Sequence, residues 1–318
     1  MRILVTGGAG FIGSNLTDAL LREGCEVTVL DNFSTGKREN LAHLKGREDF
    51  TLMEGDIRSF ETCVQAVKDC TYVFHEAALG SVPRSIKDPR TSLEVNVQGF
   101  INMMEAARLE GVKRFVYASS SSVYGDQEDL PKVEEKTGNA LSPYALSKQM
   151  DESVAAIYRK VYSFESVGLR YFNVFGPRQD PNGAYAAVIP KFIASLLRHE
   201  SPLIHGDGSN SRDFTFVDNV VQANLHAMKA QTPPEVCNVA CGSTTTLNEL
   251  FEILREGLSR KDASIGEILP RYGEPRPGDI PHSHADISRA KEFLDYTVQD
   301  GIRPGLEKTI EWYLLHCR

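Results

Sequence analysis

The sequence predicts an α/β fold, a doubly wound parallel sheet followed by a smaller, less regular C-terminal lobe. Three observations predict it. Short β-branched runs alternate with longer amphipathic stretches through the first half, the pattern of β-α-β units whose helices cover both faces of a parallel sheet. Glycines cluster in Gly7-Gly8-Ala9-Gly10-Phe11-Ile12-Gly13, between the first apolar run and the first amphipathic one. Beyond Gly176-Pro177-Arg178 the texture changes, and the segment 272–281 holds three prolines and two glycines.

Taken in order, strands are expected at 2–6, 26–30, 50–54, 72–76, 114–118 and 165–170. Between them, 11–23 carries Ile12, Leu16, Leu20 and Leu21 near helical spacing, and 92–110 carries Leu93, Val97, Ile101, Met104 and Ala107. Both read as helices. A nucleotide-type domain is placed at 1–175 and a second domain at 176–318. The boundary is soft, because 235–240 reads as a further strand that returns to the sheet. No internal repeat or low-complexity tract is seen.

Composition narrows the function classes. A chain of 318 residues is long enough for about two domains with a core that needs no metal or disulfide support. With 35 basic against 43 acidic side chains the net charge is -8, which argues against a nucleic-acid partner. Strand-like Met1-Arg2-Ile3-Leu4-Val5 leaves no room for a leader, and no run of eighteen apolar residues occurs. The expectation is a cytoplasmic protein without a membrane anchor. Cys25, Cys63, Cys70, Cys237, Cys241 and Cys317 form no CxxC pair and are expected as reduced thiols.

The glycine run carries the first functional signal. Gly7, Gly10 and Gly13 leave no side chain between the backbone and a pyrophosphate, and the helix that follows offers amide donors and a favourable dipole at Phe11, Ile12 and Gly13. Asp31, at the end of the second strand, is placed to accept hydrogen bonds from ribose hydroxyls and to repel a 2'-phosphate, so NAD is expected over NADP. Lys37 and Arg38 lie further from the strand end and are discounted as a phosphate site. Asp56, closing the third strand, is expected beside the adenine ring.

A second signal carries the chemistry. Tyr144 and Lys148 are four residues apart, hence on one face of a helix, where an ammonium beside a phenol favours the phenolate that a general base needs. A YxxxK pair alone is common. Here it follows Ser119-Ser120-Ser121-Ser122-Val123-Tyr124-Gly125, which comes directly after a strand and supplies a hydroxyl to relay a proton.

Together these motifs resemble the extended short-chain dehydrogenase/reductases, which share the Rossmann fold, and within them the UDP-sugar 4-epimerases. The likeness runs through TGGAGFIG at 6–13, DNFSTG at 31–36, GDIR at 55–58, HEAA at 75–78, SSSSVYG, SPYALSK, LRYFNVFGPRQDP at 169–181, SRDFTFVDN at 211–219 and RPGDIPHS at 276–283. The resemblance implies a catalytic triad of Ser120, Tyr144 and Lys148. It implies resident NAD held by the glycine loop, by Asp31, Asn32, Ser34, Thr35 and Gly36, by Asp56 and Ile57, by Ala77 and Ala78, and by Asn96 and Tyr171. In this family the cofactor takes a hydride from C4 of the sugar and returns it to the opposite face. Dehydratases and decarboxylases of similar sequence carry acids directly after the central hydroxyl residue, whereas this chain has Ser121 and Ser122.

For the substrate, the resemblance implies UDP-sugar contacts at Gly80, Ser81, Arg84, Ser120, Ser121, Asn173, Ala187, Val188, His205, Arg212, Arg276, Asp279 and Ser283. Arg212 and Arg276 suit a bidentate grip on phosphate. Ser283 stands where epimerases restricted to plain hexoses typically carry a tyrosine, and Gly80 where they carry lysine. Both departures are similar to the hexosamine-preferring subgroup, so UDP-N-acetylglucosamine and UDP-N-acetylgalactosamine are the expected pair, with UDP-glucose and UDP-galactose as secondary candidates. A UDP-uronic acid 4-epimerase and a non-catalytic dinucleotide sensor are the alternatives. No metal is expected, although His282 and His284 flank Ser283, and Cys237 and Cys241 read as buried apolar groups. The resemblance further implies a homodimer built on a four-helix bundle from 92–110 and 144–162.

Overall fold

The computed structural model describes residues 1–182, 186–275 and 280–316. The chain runs β1 (Arg2–Thr6), α1 (Phe11–Arg22), β2 (Glu26–Asp31), β3 (Phe50–Glu54), α2 (Phe60–Val67), β4 (Tyr72–His75), α3 (Val82–Lys87), α4 (Pro89–Leu93), α5 (Gly99–Glu110), β5 (Arg114–Ser120), α6 (Pro143–Tyr162) and β6 (Ser166–Tyr171). It continues through β7 (Val174–Phe175), α7 (Val188–Leu197), β8 (Leu203–His205), β9 (Ser211–Arg212), β10 (Thr215–Phe216), α8 (Val217–Lys229), β11 (Val236–Val239), β12 (Thr245–Thr246), α9 (Leu247–Ser259), β13 (Arg271–Gly273), α10 (Ser288–Leu294) and α11 (Ile302–His316).

Seven strands form one sheet in the order β11-β6-β5-β4-β1-β2-β3, with parallel pairing throughout. The order reverses at β1, where the next strand in sequence lies on one side and β4 on the other, and such a switch point opens a crevice at the strand ends. Alternate side chains feed opposite faces. Ile3, Val5, Val27 and Val29 pack in a core with α1 and α8, whereas Leu4, Leu30, Val73, Phe115 and Tyr117 pack in a second core with α2 and α5.

Strand positions follow the sequence reading to within two residues. The segment 92–110 is helical throughout, as expected, and carries a π-helical turn at Glu94–Gln98 between α4 and α5. Asp88 caps α4 by accepting from the Thr91 amide, and the wide turn directs Asn96 inward, where it clasps Leu79. After 176, α8 packs on α1 and β5, and β11 joins the sheet beside β6. This stretch therefore belongs to the sheet layers. The remainder, with three two-stranded ribbons and α7 and α9, sits over the strand ends. No described helix is long and apolar enough to cross a membrane.

Candidate active site

The glycine loop is shaped by what it excludes. Gly7 has φ of +67°, and a Cβ there would lie 2.7 Å from the Ala77 amide nitrogen. A Cβ on Gly13 would lie 2.3 Å from the Gly7 carbonyl oxygen. The loop therefore closes on itself with no room for side chains. Gly10 caps α1 without any side-chain hydrogen bond, which leaves the first amides of the helix for an anion. These residues line a cavity of about 670 Å³ that runs past Asp31, Asn32, Ser34 and Thr35 to Tyr144, Lys148 and Tyr171. The cradle fits a dinucleotide.

At the outer end, the buried Asp31 carboxylate accepts the Ala9 amide at 2.9 Å and the Phe33 amide at 2.8 Å, so it is fixed at the cavity wall. Burial raises its proton affinity, which those two amides oppose. Gly36 backs it, since a Cβ there would meet Ala9 and the Asp31 carboxylate at 2.9 Å. Asp56 stands between Gly55 and Ile57, which line the cavity, and its carboxylate is held by the Arg58 guanidinium at 3.0 and 2.7 Å and by Asn32, itself a lining residue, at 2.9 Å. Arg58 holds the Asp56 carboxyl down at about 2. Lys37 is committed elsewhere too, 2.9 Å from Asp180 across the cavity.

At the inner end, the Ser-Pro-Tyr sequence starts α6. Ser142 caps it by accepting from Ala145, and Pro143 takes the first turn, where no amide hydrogen is needed. That places Tyr144 and Lys148 on successive turns facing the cavity. Ser85 accepts the Tyr144 amide at 3.0 Å and fixes the start of the helix. Ser120 ends β5, and its hydroxyl accepts from both the amide and the hydroxyl of Ser122. The Lys148 ammonium is buried and donates to the Ala118 carbonyl at 2.9 Å and to Asp151 at 3.1 Å.

Asn96 does not reach the cavity. Its carbonyl oxygen accepts the Leu79 amide at 2.8 Å and its amide donates to Ser147, so it acts on the site by holding the wall loop. Tyr171 donates its hydroxyl to Glu76 at 2.8 Å and accepts from Asn224 at 2.8 Å. Glu76 and Asp151 are residues that sequence reasoning missed. The only signals available were the placement of Glu76 in HEAA and the helical spacing of Asp151 from Lys148.

A second cavity of about 1210 Å³ adjoins the first and shares Gly80, Ser81, Ser120, Tyr144, Tyr171, Asn173 and Ala187 with it. Ser121, Val188, His205 and Arg212 line it, whereas Arg84 lines the dinucleotide cavity instead. Asn173 adopts φ of +37° and donates to the Asp213 carbonyl. Ser283 does not line the wall formed by the described residues. Its amide is bonded to the Ser211 carbonyl, next to Arg212. Arg276 and Asp279 lie outside the described residues. His282 bonds the Ser211 hydroxyl, and no metal-binding group of His, Cys, Asp or Glu occurs among the described residues. Cys237 is buried and Cys241 nearly so, with burial pushing the Cys241 thiol up to about 12.

Comparison with known proteins agrees with this geometry. The chain is 38% identical over 315 residues to the UDP-glucose 4-epimerase of Mycolicibacterium smegmatis, covering 98% of both chains. Among solved structures, it is similar to the UDP-N-acetylglucosamine 4-epimerase of Methanobrevibacter ruminantium, with a TM-score of 0.91 and 39% identity over 99% of this chain and 98% of that one. The UDP-glucose 4-epimerase of Thermus thermophilus, solved with NAD, matches with a TM-score of 0.87 and 33% identity over 99% of both chains. The model of the NAD dependent epimerase/dehydratase family matches residues 3–240. The chain belongs to that family, and NAD is its cofactor.

Proposed function

We propose that this protein inverts C4 of a UDP-hexose, with UDP-N-acetylglucosamine and UDP-N-acetylgalactosamine as the preferred pair. One observation carries the reading: Ser120, Tyr144, Tyr171 and Asn173 stand where the dinucleotide cavity opens into the second one, so a ligand of each meets at the candidate base. Bound there, NAD supplies reversible hydride acceptance at C4 of the sugar. Tyr144 takes the proton of the 4'-hydroxyl and later gives it back, and Ser120 bridges hydroxyl and phenol. Lys148 supplies positive charge beside the phenol. Arg212 grips the diphosphate, and Asn173 holds the sugar nucleotide. Asp31 favours NAD through the adenosine ribose. Ser121 and Ser122, in place of acids, leave the sugar no group that expels water.

Selectivity for the acetamido sugar is supported by space. Gly80 lines the second cavity, and a Cβ built on it meets nothing within 4 Å. Ser283, beside Arg212, adds no bulk. The uronic-acid alternative asks for a cation beside C6; Arg84 lines the dinucleotide cavity, while Lys191, Arg198 and Arg212 line the second one. The test is product chromatography after incubating NAD-loaded protein with acetylated, plain and uronic UDP-sugars. Acetylated turnover is expected to be highest. Ser283→Tyr is expected to reduce it selectively, since overpacking costs about 1–3 kcal/mol. Equal turnover of acetylated sugar in that variant overturns the assignment of Ser283, and faster turnover of the uronic acid overturns the substrate.

A further inference from the structure

Lys148 and Asp151 have side chains 2% and 0% exposed, with nitrogen and oxygen 3.1 Å apart. The second oxygen of Asp151 is buried and has no hydrogen-bond partner. An ion pair held only for stability fills its remaining lone pairs, because a half-satisfied carboxylate in a low-dielectric interior is costly. This pair is not built that way. Tyr144, Lys148 and Asp151 fall at i, i+4 and i+7 of α6, so phenol, ammonium and carboxyl are strung along one face of one helix.

We propose that Asp151 is a positioning residue of the epimerase reaction: it anchors the Lys148 ammonium and, by opposing its charge, sets the pH at which Tyr144 serves as base. The inference rests on the reading of Tyr144 as that base. A lysine held by the Ala118 carbonyl alone has one fixed contact. Asp151 adds a second from the same helix, so the ammonium cannot swing away from the phenol.

The charge argument requires every group that faces the pair. From α6 these are Tyr144 and Glu152, and Glu152 is itself bound by both arms of Arg170 from β6 at 2.8 and 2.7 Å. From β5, Tyr117 feels Asp151, and burial keeps that phenol protonated. From β4 comes His75, and directly after it Glu76. Burial, then Lys148, drives His75 down to about 3, so it is neutral, and its Nδ1 lies 2.9 Å from the Thr6 hydroxyl. Burial pushes the Glu76 carboxyl up to about 7 and the Asp151 carboxyl up to about 7, in both cases against the pull of Lys148. The ammonium thus acts on two carboxyls whose ionisation burial resists. Each one that ionises weakens the positive field at the phenol. Seven residues of helix separate Asp151 from Tyr144 by about 10 Å, and a unit charge at that distance moves a titration by about one pH unit.

The experiment uses NAD-loaded enzyme and two readouts. One is the pH dependence of kcat. The other is the ultraviolet tyrosinate signal, taken as the difference from Tyr144→Phe, which does not depend on turnover. Asp151→Asn keeps an acceptor for Lys148 and removes the charge. Both the acid limb and the Tyr144 titration are expected to move down by about one pH unit. An unmoved or upward-moved profile overturns the proposal. Asp151→Ser carries the same expectation and the same refutation. Retained turnover in Tyr144→Phe is a different failure: it removes the base assignment, whereas an unmoved Asp151→Asn profile in an enzyme that needs Tyr144 removes only this inference.

Discussion

Glu76 faces the dinucleotide cavity, accepts the Tyr171 hydroxyl, and has a carboxyl raised by burial to about 7 from 4.5. The folded chain therefore holds a proton that the unfolded chain releases between those values. Stability from this site is fully present below about 4.5 and is lost as pH rises toward 7. Glu76→Gln stays uncharged, so its unfolding free energy is expected to fall less than the wild type's from pH 5 to pH 7.5, by up to about 3 kcal/mol. Denaturant titration at the two pH values checks this, and parallel slopes refute it. At the same scale Gly7→Ala combines a Cβ 2.7 Å from Ala77 with φ of +67°. It is expected to cost at least about 2 kcal/mol of stability and to abolish NAD retention, measured by melting temperature and released cofactor. The glycines and Asp31 were legible because their roles follow from backbone geometry and strand order. Glu76 and Asp151 were not, because their character comes from burial around Lys148, which tertiary packing creates and sequence spacing does not show.

Elements were legible where pattern and neighbour agree. The strands of the sheet are continuous β-branched runs because both faces are covered, and their order required only right-handed crossovers. The helix expected at 92–110 formed, but its π-turn was not legible, because Leu93, Val97 and Ile101 keep nearly the same spacing through it and periodicity cannot reveal the extra residue. What the turn accomplishes is visible in Asn96, which is 1% exposed and joins Leu79 to Ser147, hence the cavity wall to α6. Asn96→Ala leaves the Leu79 amide and the Ser147 hydroxyl without that partner, and a loss of about 1–3 kcal/mol is expected. NAD affinity is expected to fall with it, since the loop from Ala77 to Ser81 lines the groove. Calorimetry of NAD binding together with thermal unfolding checks both, and an unchanged affinity refutes the wall role. The ribbons over the strand ends were not legible, because β9, β10 and β12 are only two residues long and owe their pairing to distant partners.

For the whole molecule, the question is what covers α6. Leu146, Met150, Ile157 and Val161 are 43%, 40%, 55% and 60% exposed, and at 100° per residue they fall within an arc of roughly 60°. Leu109 on α5 and Tyr162 at the end of α6 extend the patch, with the Arg108 guanidinium 4.6 Å from the Tyr162 ring centre. The opposite face of α6 carries Ala145, Ser147, Lys148 and Asp151 inward, so the helix has a catalytic side and an unpartnered apolar side. Contiguous apolar surface of this kind marks an interface, and two parallel neighbouring helices that meet their symmetry mates form a four-helix bundle with a self-complementary patch. We propose that two copies pair through α5 and α6. Sedimentation at about 10 μM is expected to give twice the chain mass, because an interface of standard size supports association well below that concentration. Leu146→Glu combined with Ile157→Glu places two carboxylates on the seam of each copy, four in all at close range, and is expected to give monomers with unchanged helical content. A wild-type monomer removes the proposal, and a dimeric double variant moves the interface to another face. Because α6 also carries Tyr144 and Lys148, the monomeric variant is further expected to lose turnover more than it loses NAD, as the first turn of an unsupported helix frays before the glycine cradle does.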